Sequence, residues 1–181
     1  GGGVGEPGVE PRLDGAVAGV LLVVAAYSLA WSAFLLLGGS LGDRYCRRRV
    51  FLAGVIIFTL ASVWCGLASN MAQLIAARAA QGLGGALLVP GSLAIISASF
   101  AEHDRGRAIG TWSGFTAITA AIGPLLGGWL IEHVSWRAVF FINAPIAFVV
   151  LLISFSFLPE SKDETDTAKL DWIGATLTTL G

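Results

Sequence analysis

Charge is the scarcest commodity in this chain. Aspartate, glutamate, lysine and arginine together make up 13% of its 181 residues, where a soluble domain carries about 25%. So few charges cannot cover a water-facing surface on a chain that is 55% hydrophobic with a mean hydropathy of +0.78. An excess of one sign is missing too. The formal net charge is −1, and no basic face exists outside one short cluster, so no nucleic-acid partner is expected. Cysteine is limited to Cys46, in a basic segment, and Cys65, in an apolar run. That is neither a disulfide framework nor a metal spacing, and no metal or cofactor is expected. Methionine occurs once, at Met71. Residue 1 is therefore not a translation start, and Gly181 falls inside a new apolar run, so both ends are expected to be truncated. The glycine-rich opening lacks the charged-then-apolar layout of a signal peptide. Residues 1–14 read as a flexible tail.

What is present is a series of long uncharged stretches. Gly15 to Gly42, Val50 to Ala77, Ala79 to Ala101, Ala108 to Ile131 and Ala138 to Pro159 contain no Asp, Glu, Lys or Arg. A helix needs about 20 apolar residues to cross a bilayer core. A buried helix of a soluble protein would show polar residues on one face at a 3.6-residue period. These runs are apolar nearly all round. Open strands leave backbone groups unpaired in lipid, and barrel strands alternate polar and apolar side chains. The expected fold is therefore all-α, a polytopic transmembrane bundle over 15–158, with five complete helices near 15–38, 50–69, 71–99, 107–132 and 137–158. A polar, acid-rich linker follows at 159–169, and the start of a sixth helix at 170–181.

Lysine and arginine bias orients such a bundle. One set of interhelix segments holds Arg44, Arg47, Arg48, Arg49, Arg105, Arg107, Lys162 and Lys169, whereas the other offers Arg12 and Arg137. The first set is expected in the cytoplasm, so the first helix here runs from outside to inside. That leaves the present N-terminus outside and points to one helix missing upstream. The expected location is the plasma membrane of a bacterium, as a multi-pass protein.

Arg78 is the one Asp, Glu, Lys or Arg residue in the interior of the five expected spans; Arg107, Glu132 and Arg137 stand at helix ends. A charge in the interior, such as that of Arg78, costs several kcal/mol unless it meets a wet cavity or a partner. Gln81 lies three residues on and shares its helix face. Two readings are open: a cavity-facing cation that tunes a coupling carboxylate, or a helix fastener. Tyr27 and Trp31, mid-helix and too deep for an interfacial belt, are candidate cavity residues, and Thr111, Trp112, Thr116 and Thr119 are further polar points in the fourth helix. Asp43 stands among arginines. The positive-inside bias explains Arg47 to Arg49 but not an acid beside them, which can pair with Arg44 or Arg47 or face a helix N-terminus. Gly110, Gly114, Gly123, Gly127 and Gly128 form a small-residue ridge at four-residue spacings. Pro124 beside them can bend the helix. Close packing and a hinge are both compatible with that ridge. His103 and His133 lie far apart and are assigned no role.

Five segments carry a family resemblance. Gly39-Ser-Leu-Gly-Asp-Arg-Tyr-Cys-Arg-Arg-Arg49 resembles the signature loop of the major facilitator superfamily. Leu74-Ile-Ala-Ala-Arg-Ala-Ala-Gln-Gly-Leu-Gly-Gly85 is similar to that family's fourth-helix motif, Arg-x-x-Gln-Gly. Gly123-Pro-Leu-Leu-Gly-Gly128 resembles the fifth-helix motif of its antiporters. Trp136-Arg-Ala-Val-Phe-Phe-Ile-Asn-Ala-Pro145 looks like the sixth-helix opening of the fourteen-helix drug:proton antiporter branch, and Leu170-Asp-Trp-Ile-Gly-Ala175 like the start of the next helix there. The resemblance implies that the five helices match the family's second to sixth, most of its N-terminal six-helix half. It also implies that the absent first helix carries the acid used in proton coupling. Gly39, Asp43, Arg44, Arg47 and Arg48 would form a latch on the cytoplasmic gate. Cys46 departs from the family's glycine. If that position needs positive φ, a side chain there costs about 1 kcal/mol or more.

The function so implied is proton-coupled export of drugs or other small amphipathic compounds by alternating access. Its partners would be a small-molecule substrate, protons, the lipid bilayer and the missing helices of the full-length transporter. A facilitator-family carrier for a sugar or metabolite is the alternative within transport, and an inactive truncated fragment is another. An intramembrane enzyme would need a Ser/Lys, paired-acid or His cluster within the spans. A channel would need a re-entrant filter or a ring of charges. Neither set is in the sequence, and no catalytic residue is assigned.

Overall fold

A computed structural model describes residues 10–157, the side chains of 10–16, 43, 44 and 157 excepted. Among the described residues every regular element is helical: α1 (Glu10–Arg44), α2 (Arg47–Leu67), α3 (Met71–Ser99), α4 (Glu102–His133), α5 (Ala138–Phe141) and α6 (Asn143–Phe157). Five spans among the described residues are long and apolar enough to cross a membrane: Val17–Gly42, Arg47–Leu67, Met71–Ser99, Glu102–His133 and Ala138–Ser156. The linker at 159–169 and the helix start at 170–181 lie outside the described residues.

Charges mark where the lipid core ends, not where a helix ends, because backbone beyond the bilayer stays helical in water if its sequence allows. Accordingly α1 continues to Arg44 and α2 begins at Arg47, so only Tyr45 and Cys46 separate them. Cys46 has φ −58° and ψ 117°. The glycine-like conformation that would penalise a side chain is therefore not adopted. At the opposite end Asn70 caps α3, its side-chain oxygen accepting from the Gln73 amide at 2.9 Å, while Gln73 Oε1 accepts from the Ser69 amide at 3.0 Å. These bonds close the turn by satisfying donors that a helix start leaves unpaired. The last span is interrupted at Ile142. Pro145 follows three residues later; it offers no N–H to the Phe141 carbonyl and crowds it.

α3 is the centre of the packing, parallel to α1 and antiparallel to α2. Its small residues decide this, since helix association in lipid depends on close backbone approach. A Cβ at Gly82 would lie 2.5 Å from the Tyr27 carbonyl oxygen, and one at Gly84 2.5 Å from the Phe58 amide nitrogen. Gly38 of α1 is in the same position against the Ala86 backbone, and Gly54 of α2 would meet the Gly84 carbonyl at 3.2 Å. Gly82 and Ala86 thus seat α1, whereas Gly84 and Gly91 seat α2. α6 lies along α2 and is tied to it at both ends. Ser62 and Asn143 meet at one end, and Arg48 Nη2 donates to the Phe155 carbonyl at 3.1 Å at the other. Arg137 Nη2 donates to the Ala68 carbonyl at 3.2 Å, pinning the turn before α5 to the end of α2.

α4 differs. None of its residues is buried, and a Cβ at Gly110, Gly114, Gly123, Gly127 or Gly128 would meet nothing within 4 Å. Among the described residues its small-residue ridge has no helix against it.

Candidate functional site

Arg78 stands seven residues after Met71, about 10 Å along the axis from the start of α3 at 1.5 Å per residue. It is half-buried, and its guanidinium has two kinds of partner. Nη1 donates to Gln81 Oε1 on the next turn, and the carbon at its centre lies 4.2 Å from the centroid of the Tyr27 ring on α1. A ring face attracts a cation through its quadrupole, the more so where water is excluded. The charge is thereby held between α1 and its own helix.

The contacts do not stop at Gln81, which is 2% exposed. Its Nε2 donates to Ser62 Oγ at 3.0 Å, and the Cys65 thiol lies 4.0 Å from its Oε1, both on α2. Ser62 is wholly buried. Its hydroxyl donates to the Phe140 carbonyl at 3.0 Å and accepts from Asn143 Nδ2 at 2.8 Å. A polar chain therefore runs from Tyr27 on α1 through Arg78 and Gln81 on α3 and Ser62 on α2 to Asn143, the first residue of α6. In lipid such a chain satisfies groups that would each cost several kcal/mol unpaired.

Of the residues singled out from sequence, Tyr27, Arg78 and Gln81 meet in this chain. Trp31 lies beside it, with Cδ1 3.2 Å from where a Cβ on Gly85 would be. Thr111, Thr116 and Thr119 are elsewhere, each donating to the carbonyl four residues earlier in α4. Thr111 and Trp112 border a groove of about 500 Å³ between the end of α3 and the start of α4, with Phe100 and Phe115 beside them. That groove and Arg78 are at opposite ends of α3, about 30 Å apart by helical rise. Gly39 lies on α1 against Pro90 of α3, its Cβ position 3.8 Å from Pro90 Cβ. Asp43 and Arg44 belong to the last turn of α1, and their side chains are not described. Arg47 and Arg48 are in the first turn of α2, where Arg48 also lies over the Phe155 ring at 5.6 Å. Pro124 is inside α4, beside the open ridge.

Ser62 and Asn143 were not singled out from sequence. Asn143 had a usable signal, because it is the one carboxamide between Ala138 and Ser156. Ser62 had none. Among the described residues no group of three or more His, Cys, Asp or Glu can hold a metal.

The model of the Major Facilitator Superfamily matches residues 10–174. The chain belongs to the Major Facilitator Superfamily. Bacterial proteins are among its curated relatives. Multidrug resistance protein Stp of Mycobacterium tuberculosis (strain CDC 1551 / Oshkosh) is 44% identical over 147 residues, 81% of this chain and 27% of that protein. Cephamycin export protein CmcT of Amycolatopsis lactamdurans is 42% identical over 180 residues, 98% of this chain and 37% of its own length. The tetracenomycin C resistance and export protein of Streptomyces glaucescens is 35% identical over 174 residues, 96% of this chain and 32% of its own. The chain thus spans about a third of the length of these relatives. A mutant of the peptide transporter POT, crystallised with sulfate, shares the fold, with a TM-score of 0.71 and 17% identity over 90% of this chain and 35% of that one. With five spans and bacterial superfamily relatives, the protein is a multi-pass protein of the bacterial plasma membrane.

Proposed function

We propose that this chain works within a secondary active transporter of the fourteen-helix drug:proton antiporter branch, exporting drugs or other small amphipathic compounds by alternating access. Arg78 carries the reading. It is a permanently charged group placed on an apolar helix, held by a ring face and a buried amide chain, and ionisable groups within spans are functional by default. Relatives named for multidrug resistance, cephamycin export and tetracenomycin C export supply the substrate class. Tyr27 and Trp31 are the cavity residues beside Arg78, and the buried Gln81 amide holds its guanidinium. The proton carrier is a carboxylate in the part of the relatives that this chain does not cover, with Arg78 lowering its pKa through charge proximity. The segment from Gly39 to Arg48 is the cytoplasmic gate, and the ridge of α4, with Pro124, is a hinge and a packing face for helices of the remainder of the transporter. No covalent chemistry is assigned.

The test uses inverted membrane vesicles carrying the intact transporter and ethidium, an amphipathic cation. An acid interior should drive ethidium into the vesicles, and a protonophore should abolish the uptake. Uptake at the same rate with and without the gradient contradicts proton-coupled export.

A further inference from the structure

The polar chain has a direction, and one residue sets it. A serine hydroxyl has one proton to give and two lone pairs to fill. At Ser62 the proton goes to the Phe140 carbonyl, which can only accept. Both lone pairs must then face donors, and they face Asn143 Nδ2 and Gln81 Nε2. The Gln81 amide is thereby oriented with its nitrogen toward α2 and its oxygen toward Arg78, whose guanidinium can only donate. The reversed amide would set an NH2 group against the guanidinium and an oxygen against a hydroxyl whose proton is already committed. Both ends would lose their bonds.

We infer that Ser62 is a positioning residue for Arg78: it fixes the orientation of the Gln81 amide, which fixes the guanidinium over the Tyr27 ring, with Asn143 of α6 filling the remaining lone pair. The consequence for transport rests on the export role proposed above for Arg78. The positioning itself does not. Because Phe140 and Asn143 flank the interruption at Ile142, the pose of α6 enters the same chain of bonds, and a shift of that helix reaches Arg78 through Ser62.

The test is made on the intact transporter, labelled with 15N-arginine in lipid nanodiscs, with the Arg78 signals assigned by their loss in Arg78→Lys. In the wild type the two Nη nitrogens of Arg78 should be resolved, because one is bonded and rotation is hindered. Ser62→Ala should merge them and lower export about tenfold, the scale expected for one lost buried bond to a charged group. Ser62→Cys, close to serine in volume and a much weaker hydrogen-bonding group, should act like Ser62→Ala and serves as the second variant if alanine prevents folding. The decisive variant is Ser62→Ala with Gln81→Glu. A carboxylate accepts through either oxygen and has no wrong way round, so it should restore two resolved Nη signals without Ser62. A packing role for Ser62 would not be rescued in this way. Unchanged Arg78 signals in both Ser62→Ala and Ser62→Cys, or failure of Gln81→Glu to restore them, overturn the inference. Merged signals with undiminished export leave the positioning intact and overturn the export role of Arg78.

Discussion

A hydroxyl in an apolar helix has two fates, and the difference between them separates Ser62 from its neighbours in sequence. Ser28, Ser32 and Thr59 donate to carbonyls four residues earlier in their own helices, the default that hides a hydroxyl from lipid. Ser62 donates across to α5 instead. Nothing in the local sequence distinguishes the two cases, so Arg78 was legible as a lone charge and Ser62 was not. Tyr27 is open to direct test at this scale. Tyr27→Phe keeps a ring under the guanidinium and should leave the stability of the transporter nearly unchanged. Tyr27→Leu removes the ring and should cost about 1–2 kcal/mol, the range for a partly desolvated cation–π pair, read as a lower midpoint in thermal unfolding of detergent-purified protein. Equal midpoints for the two variants contradict the cation–π contact.

At the scale of the element, α3 and α4 carry similar small-residue patterns with opposite consequences. Gly84 of α3 is pressed against the Phe58 backbone, whereas Gly114 of α4 faces open space. A side chain at Gly84 can be accommodated only by moving α2, since the obstruction is backbone. Overpacking of this kind costs about 1–3 kcal/mol or more. Gly84→Val is therefore expected to abolish a monodisperse peak in size-exclusion chromatography. Gly114→Ala should leave the peak intact, and a monodisperse Gly84→Val protein would show that α2 and α3 do not pack as described. The ridge was visible in sequence on α4, but its being unoccupied among the described residues was not, because spacing identifies a packing face without identifying what packs there. The break at Ile142 is a second feature hidden by hydropathy. A window of apolar residues reads as one span whether or not Pro145 interrupts its bonding.

For the whole molecule, hydropathy and motif order gave the number of spans and the superfamily, because lipid permits few backbone solutions and the uncharged runs were long. The arrangement of the bundle was less legible. Spans that are apolar all round have no face that hydropathy can assign to a neighbour, and only the positions of glycine on α3 encode that α1 and α2 both pack against it. Orientation rests on the arginines. Arg47 to Arg49 and the linker 159–169 should be cytoplasmic, so Cys46 should resist an impermeant maleimide added to intact cells and react in inverted vesicles. Strong labelling from outside would reverse the topology.

In the transport role proposed for it, Arg78 acts on coupling as a fixed field with a fork of hydrogen-bond donors. Arg78→Lys keeps the charge but loses the planar fork. Arg78→Ala loses both, and the coupling carboxylate, no longer beside a cation, should hold its proton to higher pH. The direct measurement is ethidium transport against pH in inverted vesicles, normalised to the amount of inserted transporter. Arg78→Ala should insert normally and show no gradient-driven transport, while Arg78→Lys should retain partial transport with a shifted pH profile. A wild-type rate and pH profile in Arg78→Ala would contradict the account and reduce Arg78 to a fastener between α1 and α3.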